Sequence, residues 1–515
     1  MLDKPIPIGF FGQVSQARRL VTTTARPGAQ LISLSRTSVV SCARPTLFNK
    51  PSCRLDAGPV LLSCISSLNG IAMGKKADSA PAKWRRRLWG SFRGKHRNSR
   101  WLRVIVILAL LVGTFHFLEN HQTYRTALEI KYTPTSFPRL TLEEQTTLQS
   151  PRWQWAAGGQ LEAGAGPAQY SRQALLDAQD TWSRLGGGFE GDTFRHGDHV
   201  VKVYRREHAP FRNCLPGSTP ELRWPTEIAA SLILGGMVGS DGVRKDASFL
   251  PVSDYFLSLP TEITEPKWHF VTPFLPNGNL VELSERLQES AQYTAREVDI
   301  LFRPSLNSLL QTLDRMHSEY DLCHDDLKPD NIFLDSRVGR ANETTHWLLG
   351  DLGNVREREH PYHTSLLWTT QKSNLPDCRA NDVLRLVKAY MQFLRSSVRD
   401  ADAFDRQLFE VHQPWSRLFW SISDNVMHGG ESTAMDALDK SITEMAPGSE
   451  PVAGIGRQPS ELRNPLYRVF LGRAGILAMA SKKLLAVRAA EKAARIWGLV
   501  PMLGVPYSAC HVGTG

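Results

Sequence analysis

The run His324-Asp325-Asp326-Leu327-Lys328-Pro329-Asp330-Asn331, followed by Asp351-Leu352-Gly353, gathers in a short stretch the residue types that phosphoryl transfer requires. That reaction is mostly positioning and charge neutralisation: a carboxylate orients the attacking hydroxyl, a cation covers the moving phosphoryl group, and carboxylate and amide oxygens hold Mg2+. Asp326, Lys328 and Asn331 supply those groups in order. Mg2+ takes oxygen ligands and shares them with substrate phosphates, so Asn331 and Asp351 form a candidate metal pair. Gly353 is expected to let the backbone turn sharply beside Asp351.

The flanking residues must form elements that hold this loop. Leu306, Leu309, Leu310, Leu313 and Met316 recur at helical spacing before it, and Ile332-Phe333-Leu334 reads as a buried strand after it. A surface loop rich in Asp and Asn would carry the same letters, but not between two apolar elements.

The chain resembles the eukaryotic protein-kinase family, whose catalytic loop is His-Arg-Asp-Leu-Lys-Pro-x-Asn and whose metal-binding turn is Asp-Phe-Gly. The resemblance implies an α+β, two-lobed protein-kinase-like fold, with a small antiparallel β lobe and a larger helical lobe. It also implies ATP and Mg2+ as cofactors and a protein hydroxyl as acceptor, a glycan hydroxyl being the alternative. Leu185 to Gly191 fits G-x-G-x-x-G through Gly186, Gly188 and Gly191, whose amides would approach nucleotide phosphates. A hairpin across His196 to His199 would then present Lys202 to those phosphates. Glu227, in a helix opening near Pro225, is the candidate partner of Lys202, with Glu221 as its rival; an ordinary first-turn glutamate is the plainer alternative. In His269 to Leu280 the resemblance puts the hinge between lobes. Thr272 would back the adenine pocket, the Pro273 carbonyl would accept from adenine and the Leu275 amide would donate to it.

Three departures narrow the likeness. Asp325 stands where the family has arginine, which argues against switching by a phosphorylated loop. Leu352 replaces phenylalanine. Ala-Pro-Glu is absent, and only a short segment separates Asp351 from Asp382, which is expected to open an apolar helix running to Tyr390 and resembles the aspartate that buttresses the catalytic loop from below, an ordinary helix N-terminal aspartate being the plainer alternative. Substrate class is therefore less defined than ATP chemistry, and a scaffold that binds without turnover is a further alternative.

Charge and hydropathy place the domain. The 515 residues carry a net charge of +10, but residues 1 to 72 hold eight Lys/Arg against two acids and residues 73 to 103 hold eleven against one. From Val104 onward acids outnumber bases, so the overall basicity does not indicate nucleic-acid binding. The basic segment precedes the apolar run Val104 to Leu118, which, with Trp101, Leu102 and a snorkelling Arg103, is long enough for a thin bilayer. The expected organisation is a disordered or doubtful arm over 1–72, a basic cytoplasmic tail over 73–103, and a transmembrane helix over 104–118. A stem would cover 119–179 and the kinase-like domain 180–500. Positive residues on the N-terminal side predict a type II membrane protein with a luminal domain in the secretory pathway or at the cell surface. Cys214, Cys323, Cys378 and Cys510 permit two disulfides in three pairings, and Cys323 reads as a small buried residue. The triplet Asn342-Glu343-Thr344 is a glycosylation sequon compatible with a luminal loop.

Overall fold

The computed structural model describes residues 98–149, 154–155, 167–188, 190–205, 213–214, 223–238, 247–258, 267–290, 293–335, 346–371, 374–427, 433–446 and 456–487. The arm over 1–72, most of the basic tail, Glu221, the sequon and Cys510 lie outside these residues. The architecture is mixed α+β, with one small, mainly antiparallel sheet and a larger helical part.

Helix α1 (Asn98–Lys131) carries the apolar run, and Trp101 to Leu118 are exposed along it. It is long and apolar enough to cross a membrane. Without a break it continues past the run until Ala127 and Leu128 are buried. The segment expected to be a stem therefore begins packing on the domain at once: Phe137, Leu140 and, in α2 (Leu142–Gln149), Leu148 join the main core.

The sheet comprises β1 (Gln154–Trp155), β2 (Ser183–Gly187), β3 (Gly191–His196), β4 (His199–Tyr204), β7 (Asp254–Ser258) and β8 (Lys267–Pro273), in the order β1-β7-β8-β4-β3-β2; β5 (Asn213–Cys214) and β6 (Arg223–Trp224) form a separate ladder. Helix α3 (Pro167–Asp177) precedes the sheet, and Arg172 clamps Asp254 in β7 through two hydrogen bonds. The expected hairpin closes with His196 opposite His199, and Gly197 takes the left-handed conformation the turn needs. Gly191 is required by close approach, since a Cβ there would meet the Val203 carbonyl at 2.3 Å. Helix α4 (Thr226–Leu234) is buried on every side, with Pro225 at its N-cap.

Helix α5 (Leu280–Ser290) leads to α6 (Ala295–Ser318), which opens with a Thr294/Glu297 capping box. The periodic leucines of α6 are fully buried in the largest apolar cluster. Strand β9 (Leu322–Cys323) pairs with β12 (Arg356–Glu357), and β10 (Ile332–Asp335) with β11 (His346–Leu349). Helix α7 (Cys378–Ser397) starts a turn earlier than Asp382, with Asp377 as its N-cap. Helices α8 (Ala401–Glu410), α9 (Pro414–Met427), α10 (Ala434–Met445) and α11 (Pro465–Leu485) complete the helical part. Helix α11 is interrupted at Gly472.

One expectation about cysteine is corrected. Cys323 is buried, but it is bonded to Cys378, joining β9 to the first residue of α7. The mate lies 55 residues away in sequence, beyond the reach of local pattern.

Candidate active site

The loop after β9 is held from below by one carboxylate. Asp382 accepts from the His324 amide at 2.6 Å and from the Asp325 amide at 3.0 Å, and His317 Nε2 lies 3.2 Å from its Oδ2. An interior helix residue with two backbone donors is a buttress, not a helix-start aspartate. His324 Nδ1 accepts from the Asp326 amide and its Nε2 faces the Gly350 carbonyl at 3.2 Å, linking the loop to the turn that carries Asp351. Asp325 and Asp351 both adopt left-handed φ, at 62° and 54°. The sharp turn is thus made by Asp351 itself and not by Gly353, whose φ is negative; short acidic side chains tolerate that conformation.

Asp326 is engaged on both oxygens. Lys328 Nζ donates to Oδ2 at 2.9 Å, and Arg385 Nη2 on α7 donates to Oδ1 at 3.1 Å. Asn331 donates its side-chain nitrogen to the Asp326 carbonyl at 2.9 Å, which leaves its amide oxygen for a cation. Burial opposes the charge on Lys328, but Asp326 and Asp351 hold its pKa above the ordinary lysine value.

The strand lysine finds the expected helix glutamate. Lys202 Nζ donates to Glu227 Oε2 at 2.6 Å and lies 3.6 Å from Asp351 Oδ1 and 3.4 Å from Glu190 Oε2. Tyr204 also donates to Glu227. Burial alone would weaken the ammonium, yet Glu227, Tyr204, Asp351 and Glu190 raise the Lys202 pKa well above its usual value. Glu227 is raised by burial against the pull of Lys202, whereas Asp351, though partly desolvated, is lowered by Lys202 and Lys328. Lys328 Nζ is 3.9 Å from Asp351 Oδ2, so two cations from distant segments meet at this one carboxylate.

The glycines divide by role. A Cβ at Gly186 or Gly188 would meet nothing within 4 Å, whereas Gly191 is needed by the protein itself. The open space fits a loop over a ligand. Thr272 and Pro273 end β8 opposite Val200 and His199, and Leu275 follows as a buried residue beside them.

A second ionic cluster lies below the loop. Asp325 accepts from Arg356 Nη1 at 3.0 Å and from His363 Nε2 at 2.9 Å. His363 Nδ1 faces the Arg358 carbonyl at 3.0 Å, so both ring nitrogens face acceptors, which favours the imidazolium. Burial resists this charge, but Asp325 raises the His363 pKa, while His363 and Arg356 lower that of Asp325. Arg356 Nη2 also donates to the Lys131 carbonyl at the end of α1, and His360 Nε2 lies 3.1 Å from the Thr133 carbonyl. Tyr132, Ala127 and Leu128 pack against Tyr362, Leu367, Trp368 and the Cys323–Cys378 bridge.

Sequence reading did not single out Glu190, Tyr204, Arg356, His363 or Arg385. The Glu190 position inside the glycine run was the one available signal. No protein-family model matches the chain, and no curated protein matches it.

Proposed function

We propose that this protein is an ATP-dependent phosphotransferase of protein-kinase type, with the sheet and the helical part as two lobes around the cleft. The observation that carries the reading is the meeting of four separate segments: Lys202 bridges Glu227 and Asp351, and Asp351 in turn faces Lys328 bound to Asp326. Gly186, Gly188 and Gly191 would cover the nucleotide phosphates, Lys202 would pair with them once Glu190 withdraws, and Pro273 and Leu275 would border adenine. Asn331 and Asp351 suit Mg2+ by donor chemistry, since both offer oxygen and Asp351 is held ionised. The bound ion would neutralise charge on the transferred group. Asp326 would then orient the acceptor hydroxyl, with Lys328 beside the phosphoryl group.

A serine or threonine hydroxyl of a protein is the acceptor favoured by Lys328-Pro329. A glycan acceptor is the second reading, supported by the short segment between Asp351 and α7, which packs against the membrane-side strap and lacks Ala-Pro-Glu. Helix α1, the basic residues before it and the buried disulfide together favour a type II anchor with the domain in the oxidising secretory lumen.

Phosphotransfer from labelled ATP by the purified protein, compared with Asp326→Asn, tests the chemistry. A loss of about 100-fold or more is expected. Equal background signal from both proteins would leave a non-catalytic scaffold. Protease digestion of the domain in sealed microsomes without detergent would refute the luminal orientation.

A further inference from the structure

The last helix of the described residues is built of two unlike halves. Gly472, at φ 64°, breaks α11. After the break Leu477 and Ala480 pack on Phe409 of α8, with Trp420 of α9 beside them, and Ile476 and Leu485 are buried. Before it Leu466, Tyr467, Val469, Phe470 and Leu471 are exposed, Val469 and Phe470 at 78 % and 79 %. Outside α1, no other stretch of the described residues exposes more than two large apolar side chains in succession. An uncovered apolar run of that density marks a contact surface.

Charge narrows the choice of partner. Residues 462–490 hold six Lys/Arg and no acid. Lys483 is paired with Glu461 at 3.0 Å, but Arg463, Arg468 and Arg473 are exposed and have no acidic partner among the described residues. Leucine, valine and phenylalanine interleaved with arginine and tyrosine suit the boundary between acyl chains and headgroups, where arginine stems lie along the apolar phase and their heads stay in the polar one. Residues 465–471 are helical over about 10 Å, too short to cross a bilayer, so they would lie in its surface. Helix α1, long and apolar enough to cross a membrane, would keep a bilayer within reach. Two other occupants fit less well. A second copy docked face to face would set Arg468 and Arg473 against their own equivalents. Residues 488–515 bring three Lys/Arg against one acid, so they supply no countercharge either.

We infer that residues 463–473 form a second membrane contact, an interfacial segment that inserts Leu466, Val469, Phe470 and Leu471 among acyl chains and sets Arg463, Arg468 and Arg473 on anionic lipid headgroups. The domain is then held at two points, α1 and the start of α11, which restricts its rotation over the bilayer. Neither contact depends on the reaction the cleft performs.

The test uses the full chain reconstituted in phosphatidylcholine vesicles with or without phosphatidylserine, with the photoreactive residue p-benzoylphenylalanine in place of Phe470. That side chain is exposed, so the exchange leaves the core untouched. Illumination is expected to give lipid adducts at position 470, at least about threefold more with phosphatidylserine than without. Adding Arg468→Glu and Arg473→Glu should lower the yield by at least about threefold. The same probe in place of Ile442, an exposed apolar residue on α10, is the reference. Lipid adducts no more frequent at 470 than at 442 overturn the membrane contact, as do cross-links from 470 to a second copy or to residues 488–515 in place of lipid. Lipid adducts indifferent to phosphatidylserine, or to the two arginine changes, overturn the assignment of anionic headgroups.

Discussion

The two ionic clusters flanking the loop that carries Asp326 are built on opposite principles. Around Lys202, one ammonium faces three carboxylates, and one side of the group is open to solvent, with Asp351 35 % exposed and Glu190 26 %, while Glu227 closes the other. Around Asp325, one carboxylate faces a guanidinium and an imidazolium, and all three side chains are at most 2 % exposed. The first cluster is unbalanced and partly open, which suits the proposed binding of phosphate and a divalent cation. The second is closed, and its cations come from the segment after Asp351 while its anion comes from the loop. Burial with every charge hydrogen-bonded to one of opposite sign fixes geometry, and an excess of one sign in a partly open site invites a ligand.

That contrast can be broken most severely at Arg356. Arg356→Gln leaves Asp325 buried with His363 as its one remaining charged partner, and a loss of about 3–5 kcal/mol is expected in chemical denaturation. Adding Asp325→Asn should restore much of it; a double variant as unstable as the single one would mean the pair does not act as a unit. Next comes the disulfide. Cys323→Ser with Cys378→Ser removes a cross-link closing a 55-residue separation, and a loss of about 2–4 kcal/mol is expected, read as a lower denaturation midpoint.

The open cluster should answer in the other direction. Glu190→Gln removes a carboxylate that competes with phosphate for Lys202, so nucleotide affinity should rise by about 3- to 10-fold in equilibrium titration, with stability nearly unchanged. Weaker nucleotide binding would show that Glu190 belongs to the ligand site itself. The smallest effect is on pH. The His363 pKa is raised on folding, so its contribution to stability is complete below its unfolded value of about 6.5 and fades as pH rises through the higher folded value. Asp325, lowered on folding, contributes above its unfolded value of about 3.9 and loses that contribution only in stronger acid. Unfolding free energy should therefore decline on the alkaline side in wild type and flatten in His363→Gln.

How much of this was legible depended on range. Asp326, Lys328, Asn331 and Asp351 could be read because their spacing is local, and Lys202 because a hairpin and an alternating strand announce it. Glu227 emerged over Glu221 because a proline marks where its helix starts. The pairings Asp325–Arg356, Asp326–Arg385 and Cys323–Cys378 join residues 31, 59 and 55 positions apart, and no periodicity connects them. The strap from Ala127 to Leu148 was hidden for another reason. Its prolines and scattered apolar residues look like a linker, and their burial depends on surfaces supplied by residues as distant as Trp224 and Cys378.

Helix α1 gives the molecule a lever. Between Leu118 and Lys131 it contains neither glycine nor proline, so these thirteen steps form a rigid rod of about 20 Å instead of a flexible leash. Its last carbonyl is grasped by Arg356, one residue contact from the loop that carries Asp326. A tilt or rotation imposed on the apolar half of the rod would therefore reach the loop that carries Asp326 through the contacts of Arg356 with Lys131 and Asp325.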